Sequence, residues 1–207
     1  MDLLHLPEHV KLMVVTKNQS VLAINNVIKQ HSVKLIGESR WQEAKQKIDY
    51  YPKNIPKHFI GHVQTNKAKE IIEAFDCIES VDSLKLINII DKSVETLHAM
   101  SLRYQKYPIF LQVNISNDPN KHGFMVSELN KAIEHCHKMF HVELLGLMTI
   151  TAKQTKEAVK QDFKKMKQLQ IKHCLKELSM GMSADWDLAV EEGATIIRIG
   201  NKLFNNY

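Results

Sequence analysis

Short apolar runs alternate with longer amphipathic stretches along almost the whole chain. The run KLMVVTKNQS at residues 11–20 sets the pattern: Val14, Val15 and their neighbours read as a strand buried on both faces, and the apolar character stops abruptly at Thr16-Lys17. Runs of this kind predict strands near residues 11–16, 33–37, 57–61, 76–81, 107–115, 142–150, 177–182 and 195–199. Between them, apolar residues recur at helical spacing. In TNKAKEIIEAF they are Ala68, Ile71, Ile72 and Phe75. In SELNKAIEHCHKMF they are Leu129, Ile133, Cys136 and Phe140, with Ser127 expected as N-cap. The segment SADWDLAVEEG, with Ser183 as its expected N-cap, presents Trp186, Ala189 and Val190 on one face.

Eight strands alternating with helices over residues 1–207 predict the α/β class and a single (β/α)8 TIM barrel. A doubly wound sheet is the alternative, but it favours fewer strands and a glycine-rich first turn, and KLMVVTKNQS has no glycine. Only NKLFNNY follows the eighth strand, so the last helix is expected to be missing or reduced to a turn.

Composition narrows the classes without choosing a function. The 207 residues are 44% hydrophobic and 25% charged, ordinary for a soluble globular chain. No stretch approaches the roughly 20 apolar residues of a membrane span, and MDLLHLPEHVK lacks the pattern of a signal peptide. Cys77, Cys136 and Cys174 are widely spaced and odd in number, which argues for a reducing cytoplasm rather than a disulfide framework. The net charge of +5 is spread over lysines interleaved with glutamates, the pattern of a solvated surface rather than a nucleic-acid site.

In a barrel, chemistry gathers at the carboxyl ends of the strands, and a phosphate often sits after strands seven and eight. Those ends here carry Thr16-Lys17, Gly37-Glu38-Ser39, His58 to His62, Asn114, Met148-Thr149, SMGMS and RIGN. Ser183 and the backbone of Gly200 and Asn201 offer donors for an anion, although a plain cap and a plain turn explain them equally well. Barrel closure brings strand eight beside strand one and is expected to set Arg198 next to Lys17. A lysine amine near another cation is suited to form a Schiff base.

The chain resembles the pyridoxal-phosphate homeostasis proteins, which are similar to the N-terminal barrel domain of alanine racemase. The resemblance rests on VVTKNQ, IGESRWQEA, HFIGHVQTNK, LQVNIS, KHGF, LLGLMTI, LSMGMSADWDLAVEEGA and IRIGNKLF, nearly the whole length. It implies that Lys17 holds pyridoxal 5′-phosphate (PLP) as a Schiff base and that Ser183, Gly200 and Asn201 hold the phosphate. Arg198 would face the pyridine nitrogen and, unable to give up a proton, leave the cofactor a weak electron sink. Ser39, His58, Met148 and Met182 complete the expected cofactor contacts.

The implied role is PLP carriage in vitamin B6 homeostasis by a cytoplasmic monomer without robust catalysis. PLP-dependent apoenzymes would receive the cofactor, with no nucleic-acid or membrane partner. The alternative is a PLP-dependent amino-acid racemase or transaminase. Against it, alanine racemase takes a second acid–base group from a tyrosine of its C-terminal domain, and Tyr207 is expected to lie too close to strand eight to replace it. The chain departs from the family pattern at Ser39, where asparagine is usual, at His62, where proline is usual, and at Asn201, where serine or threonine is usual. The helix that usually precedes the first strand is also mostly absent. His135-Cys136-His137 does not set its three side chains on one helix face, so no metal site is expected there.

Overall fold

The computed structural model describes residues 6–98 and 106–204; Tyr207 lies outside them. Eight parallel strands close in sequence order into a barrel: β1 (Lys11–Val15), β2 (Val33–Glu38), β3 (Lys57–Phe59), β4 (Cys77–Val81), β5 (Tyr107–Gln112), β6 (Val142–Met148), β7 (Glu177–Ser179) and β8 (Ile196–Ile199). The connections carry helices α1 (Val21–Gln30), α2 (Trp41–Ala44), α3 (Ala68–Ala74), α4 (Leu84–His98), α5 (Leu129–His137), α6 (Lys156–Lys172), α7 (Trp186–Glu191) and α8 (Asn201–Phe204). The (β/α)8 expectation holds, down to a last helix of one turn.

Alternation along the strands sorts the core into two shells. Met13, Leu35, Cys77, Phe110, Met148 and Ile196 plug the barrel interior. Their neighbours Leu12, Val14, Ile36, Ile78, Leu111, Leu147 and Ile197 face outward and pack beneath the helices. Strands buried on both faces therefore read as continuous apolar runs. Ser20 and Thr155 cap α1 and α6, their hydroxyls accepting from Ala23 N (3.2 Å) and Ala158 N (3.3 Å).

Three local expectations fail. Ser127 is no N-cap: it lies inside a one-turn 3-10 helix, Val126–Glu128, whose start is closed by Glu128 accepting from Met125 N at 2.9 Å. Phe140 is 80% exposed, because α5 ends at His137 and the chain has already turned toward β6. Ser183 does not cap α7, which starts only at Trp186 with Asp185 before it. Strands 3, 5, 6 and 7 also stop two to three residues short of their predicted ends, as the chain turns into the loops at the barrel mouth. Among the described residues no helix is long and apolar enough to cross a membrane.

Candidate functional site

Met13 plugs the barrel, and residues 15 and 17 share its parity, so Lys17 leaves the end of β1 on the side of the barrel mouth. The backbone around Lys17 is held at every step. The Thr16 hydroxyl donates to Glu38 Oε1 at 2.6 Å, and the Thr16 carbonyl accepts from Lys47 Nζ at 2.8 Å. Asn18, in the left-handed region at φ 60°, donates its N–H to Glu43, and its side-chain oxygen accepts from Arg40 at 2.9 Å. The Lys17 side chain is exposed, and its amine has no hydrogen bond or ion pair among the described residues.

The device that pins Thr16 is a buried polar cluster. Glu38, fully buried, accepts from Tyr51 Oη at 2.5 Å and pairs with Lys47 at 3.0 Å; Lys47 also pairs with Glu43 at 2.8 Å. Burial and the neighbouring Glu38 push the Tyr51 hydroxyl far above its usual range, so it stays a donor. Residue-type reasoning missed Lys47, Glu38 and Tyr51 as a unit. Lys47 lies between Gln46 and Ile48 in the turn after α2, and nothing in that local sequence signals its burial.

Arg198 is not beside Lys17. The register pairs it with Met13, two residues before the end of β1 and four before Lys17. The stagger of the barrel is the reason, and it leaves Arg198 buried in the interior below the mouth. Its guanidinium donates to Ser179 Oγ at 2.7 Å and to the Thr149 carbonyl at 2.6 Å. Ser179 in turn donates to Glu79 Oε2 at 2.6 Å, and Glu79 Oε1 meets His58 Nδ1 at 2.7 Å. Burial acts to raise the pKa of Glu79, but His58, Arg198 and the Ser179 hydroxyl outweigh it and hold the carboxyl below its usual value. Burial lowers the pKa of Arg198 against the pull of Glu79 and Asp185. The cation that does adjoin the Lys17 peptide is Lys47.

The turn after β7 supplies the donors expected there, by a different route. Gly181 takes φ +88°, and a Cβ at this position would lie 2.5 Å from that of Ala189. Only glycine lets α7 pack this closely. The Met182 carbonyl accepts from Asp185 N and Trp186 N, while Met182 N donates to Asp185 Oδ1 at 2.7 Å. Ser183 and Ala184 form the outside of this turn, and among the described residues their N–H groups donate to no acceptor. The donors open to an anion here are individual N–H groups and the Ser183 hydroxyl, not the dipole of a long helix. Gly200 and Asn201 lead into α8, where Leu203 N closes the turn onto the Gly200 carbonyl at 2.9 Å. A Cβ on Gly200 would meet only Val15, at 3.6 Å, so this glycine leaves room above β1 and β8.

Four expected contacts fall in different places. Ser39 is half-buried after β2 on the mouth side. Met148 is fully buried in the interior plug, a floor beneath the mouth. Met182 has its N–H committed to Asp185 and offers no backbone donor. His58 sits in the middle of the short strand β3 and lines a cavity with Pro56, Cys77 and Pro108, at the amino ends of the strands. It reaches Glu79 from below rather than facing the mouth. The site as built offers an unpaired primary amine, a turn of free N–H donors and a buried guanidinium, which suits a small molecule carrying both an aldehyde and an anionic group.

A family model described as alanine racemase, N-terminal domain, matches residues 3–206. The pyridoxal phosphate homeostasis protein of Synechocystis sp. is 35% identical to the chain, with 97% of this chain and 93% of that protein aligned. The protein of the same name from Haemophilus influenzae is 32% identical, with 94% and 84% aligned. Among solved structures, PipY of Synechococcus elongatus with PLP bound has a TM-score of 0.83 at 33% identity, covering 97% of this chain and 94% of that one. Alanine racemase of Clostridium difficile has a TM-score of 0.74 at 17% identity and is matched over 53% of its length, a likeness of fold alone.

Proposed function

The chain belongs to the alanine racemase N-terminal domain family, and from that footing we propose that it binds PLP covalently through Lys17 and serves vitamin B6 homeostasis as a carrier. The observation that carries this reading is the pinned peptide of Lys17: Thr16 and Asn18 are tied by Lys47, Glu38, Glu43 and Arg40, while the amine between them is free. Relatives named as homeostasis proteins rather than enzymes, and PipY with PLP bound, support it.

The residues present fit the cofactor. When bound, PLP supplies an aldehyde to the lysine, a phosphate to the protein's donors and an electron-withdrawing ring. Lys17 provides the amine. Ser183 and Ala184, with Gly200 and Asn201, would hold the phosphate, and Ser39 would flank the mouth. Arg198, fixed by Ser179 and Thr149, presents donors and no acceptor, so a ring nitrogen facing it receives a hydrogen bond and keeps no proton of its own. Met148 supports from the floor. His58 and Met182 act at one remove, through Glu79 and Asp185. In this reading the chain works as a cytoplasmic monomer that hands PLP to PLP-dependent apoenzymes, without robust turnover of its own.

The test is an absorbance spectrum of the purified protein with PLP, followed by borohydride reduction and peptide mass spectrometry. The expected result is a visible band and a reduced adduct on Lys17, both absent from Lys17→Ala. An adduct on another lysine would overturn the assignment.

A further inference from the structure

At the mouth of the barrel, away from β1 and β8, three side chains from three separate connections converge. His62 follows β3, Asp82 follows β4 and His122 lies in the segment after β5. The Nδ1 atoms of His62 and His122 each stand 3.4 Å from the same oxygen, Asp82 Oδ2. The two imidazoles stack with centroids 4.2 Å apart and planes 21° from parallel. One ligand atom from each residue lies within 4.8 Å of the other two.

The two nitrogen–oxygen distances suit ligands of a shared metal ion better than hydrogen bonds. A good N–H···O bond is near 2.9–3.0 Å. Around a tetrahedral ion with bonds of about 2.0–2.1 Å, neighbouring ligand atoms stand roughly 3.3–3.4 Å apart. If both ring nitrogens offer lone pairs, three electron-rich atoms lie within 4.8 Å of one another, an arrangement that a cation relieves.

The convergence is built by the scaffold. A Cβ on Gly61 would lie 1.9 Å from the Ser39 carbonyl oxygen, so only glycine permits the path that delivers His62. The Ser80 hydroxyl fixes that path by donating to the Gly61 carbonyl at 2.5 Å. On the other side, Gln112 Nε2 donates to the His122 carbonyl at 3.0 Å, and Asn114 ties the preceding loop through the backbone of Asp118.

We propose that His62, Asp82 and His122 form a site for a divalent ion of the zinc class, with water completing the coordination from the solvent side. Asp82 is mostly covered, at 13% side-chain exposure, while the histidines at 49% and 60% leave the fourth position open. Two imidazoles and one carboxylate select zinc, cobalt, nickel or copper over magnesium and calcium. This inference is independent of Lys17 and of PLP.

Titration of Co2+ into untagged, metal-stripped protein tests it. The expected result is the visible spectrum of four-coordinate Co2+ at about one equivalent, abolished by Zn2+ and indifferent to Mg2+. His122→Ala, on an exposed loop, is expected to weaken binding by about 100-fold or more, beyond the range for merely supporting residues. Asp82→Asn and His62→Gln should do the same, and circular dichroism confirms that each variant is folded. Binding that survives all three substitutions would overturn the proposal. So would a wild type that binds no Co2+ at millimolar concentration.

Discussion

Lys47 Nζ donates to the carbonyl of Thr16 at 2.8 Å, so one buried lysine fixes the peptide from which another, Lys17, emerges. Lys47 also stands 3.0 Å from Glu38, whose second carboxylate oxygen is buried without a partner among the described residues. Removing the ammonium leaves that carboxylate uncompensated. Lys47→Met is therefore expected to destabilise the fold by about 3–5 kcal/mol in urea denaturation, the scale for breaking a buried pair. It should also slow covalent capture of PLP by Lys17. The exposed pair Lys45–Glu70, at 3.0 Å, is the control: Lys45→Met should cost less than about 1 kcal/mol. Equal losses in the two variants would show that the buried Lys47–Glu38 pair contributes no more than an exposed one.

The turn after β7 gives a prediction that separates holding a phosphate from shaping a turn. Ser183 lies outside the bonded part of that turn, which is closed by Met182 and Asp185. Its hydroxyl is thus free to serve a ligand. Ser183→Ala is expected to weaken PLP binding by about 1.5–3 kcal/mol, the range for a hydrogen bond to a charged group. Pyridoxal, which has no phosphate, should be little affected in the same titration. Parallel losses for both ligands would mean that Ser183 only supports the backbone.

The interior chain from His58 through Glu79 and Ser179 to Arg198 carries a pH dependence with a defined sign. The pKa of Glu79 in the folded protein lies below its ordinary value of 4.5. A carboxyl of this kind contributes stability above its unfolded pKa and loses it as pH falls through the lower, folded value. The buried charge of Arg198 depends on it. Glu79→Gln is expected to cost about 3–5 kcal/mol at neutral pH, and the gap to wild type should shrink as pH falls below about 4.5. Chemical denaturation at a series of pH values measures it. A gap that stays constant down to about pH 3 would rule out Glu79 as the ionised partner.

Most of the fold is legible in the chain because parallel strands buried on both faces leave contiguous apolar runs, and all eight were found in order. The placements that failed depend on quantities that periodicity does not carry. Stagger between β1 and β8 sets Arg198 four residues below the level of Lys17. The late start of α7 at Trp186 puts Asp185 at the position expected of Ser183, and its side chain bonds Met182 N rather than capping the helix. Lys47 escaped notice because its partners, Thr16, Glu38 and Glu43, come from three segments that meet only when β1 and β2 pair. His62, Asp82 and His122 are separated by 20 and 40 residues, and only barrel closure makes them neighbours.

The last prediction distinguishes a carrier from an enzyme. Racemisation or transamination of an amino acid through PLP requires the bound cofactor to stabilise negative charge at the α-carbon, and a protonated ring nitrogen strengthens that pull. In the proposed site Arg198 would work against it. The guanidinium has donors and no acceptor, and its geometry is locked by Ser179 at 2.7 Å and the Thr149 carbonyl at 2.6 Å. A second requirement is a pair of positioned acid–base groups. Lys17 supplies one. Tyr51 is no candidate for the other: it is buried, donates to Glu38 at 2.5 Å, and its hydroxyl is pushed far above the range in which it could exchange protons at neutral pH. Exchange of the α-proton of common amino acids in deuterated water, followed by NMR, is therefore expected to stay near the rate of free PLP. Turnover at about 1 per second or faster, the range typical of enzymes, and lost in Lys17→Ala, would replace the carrier by a catalyst.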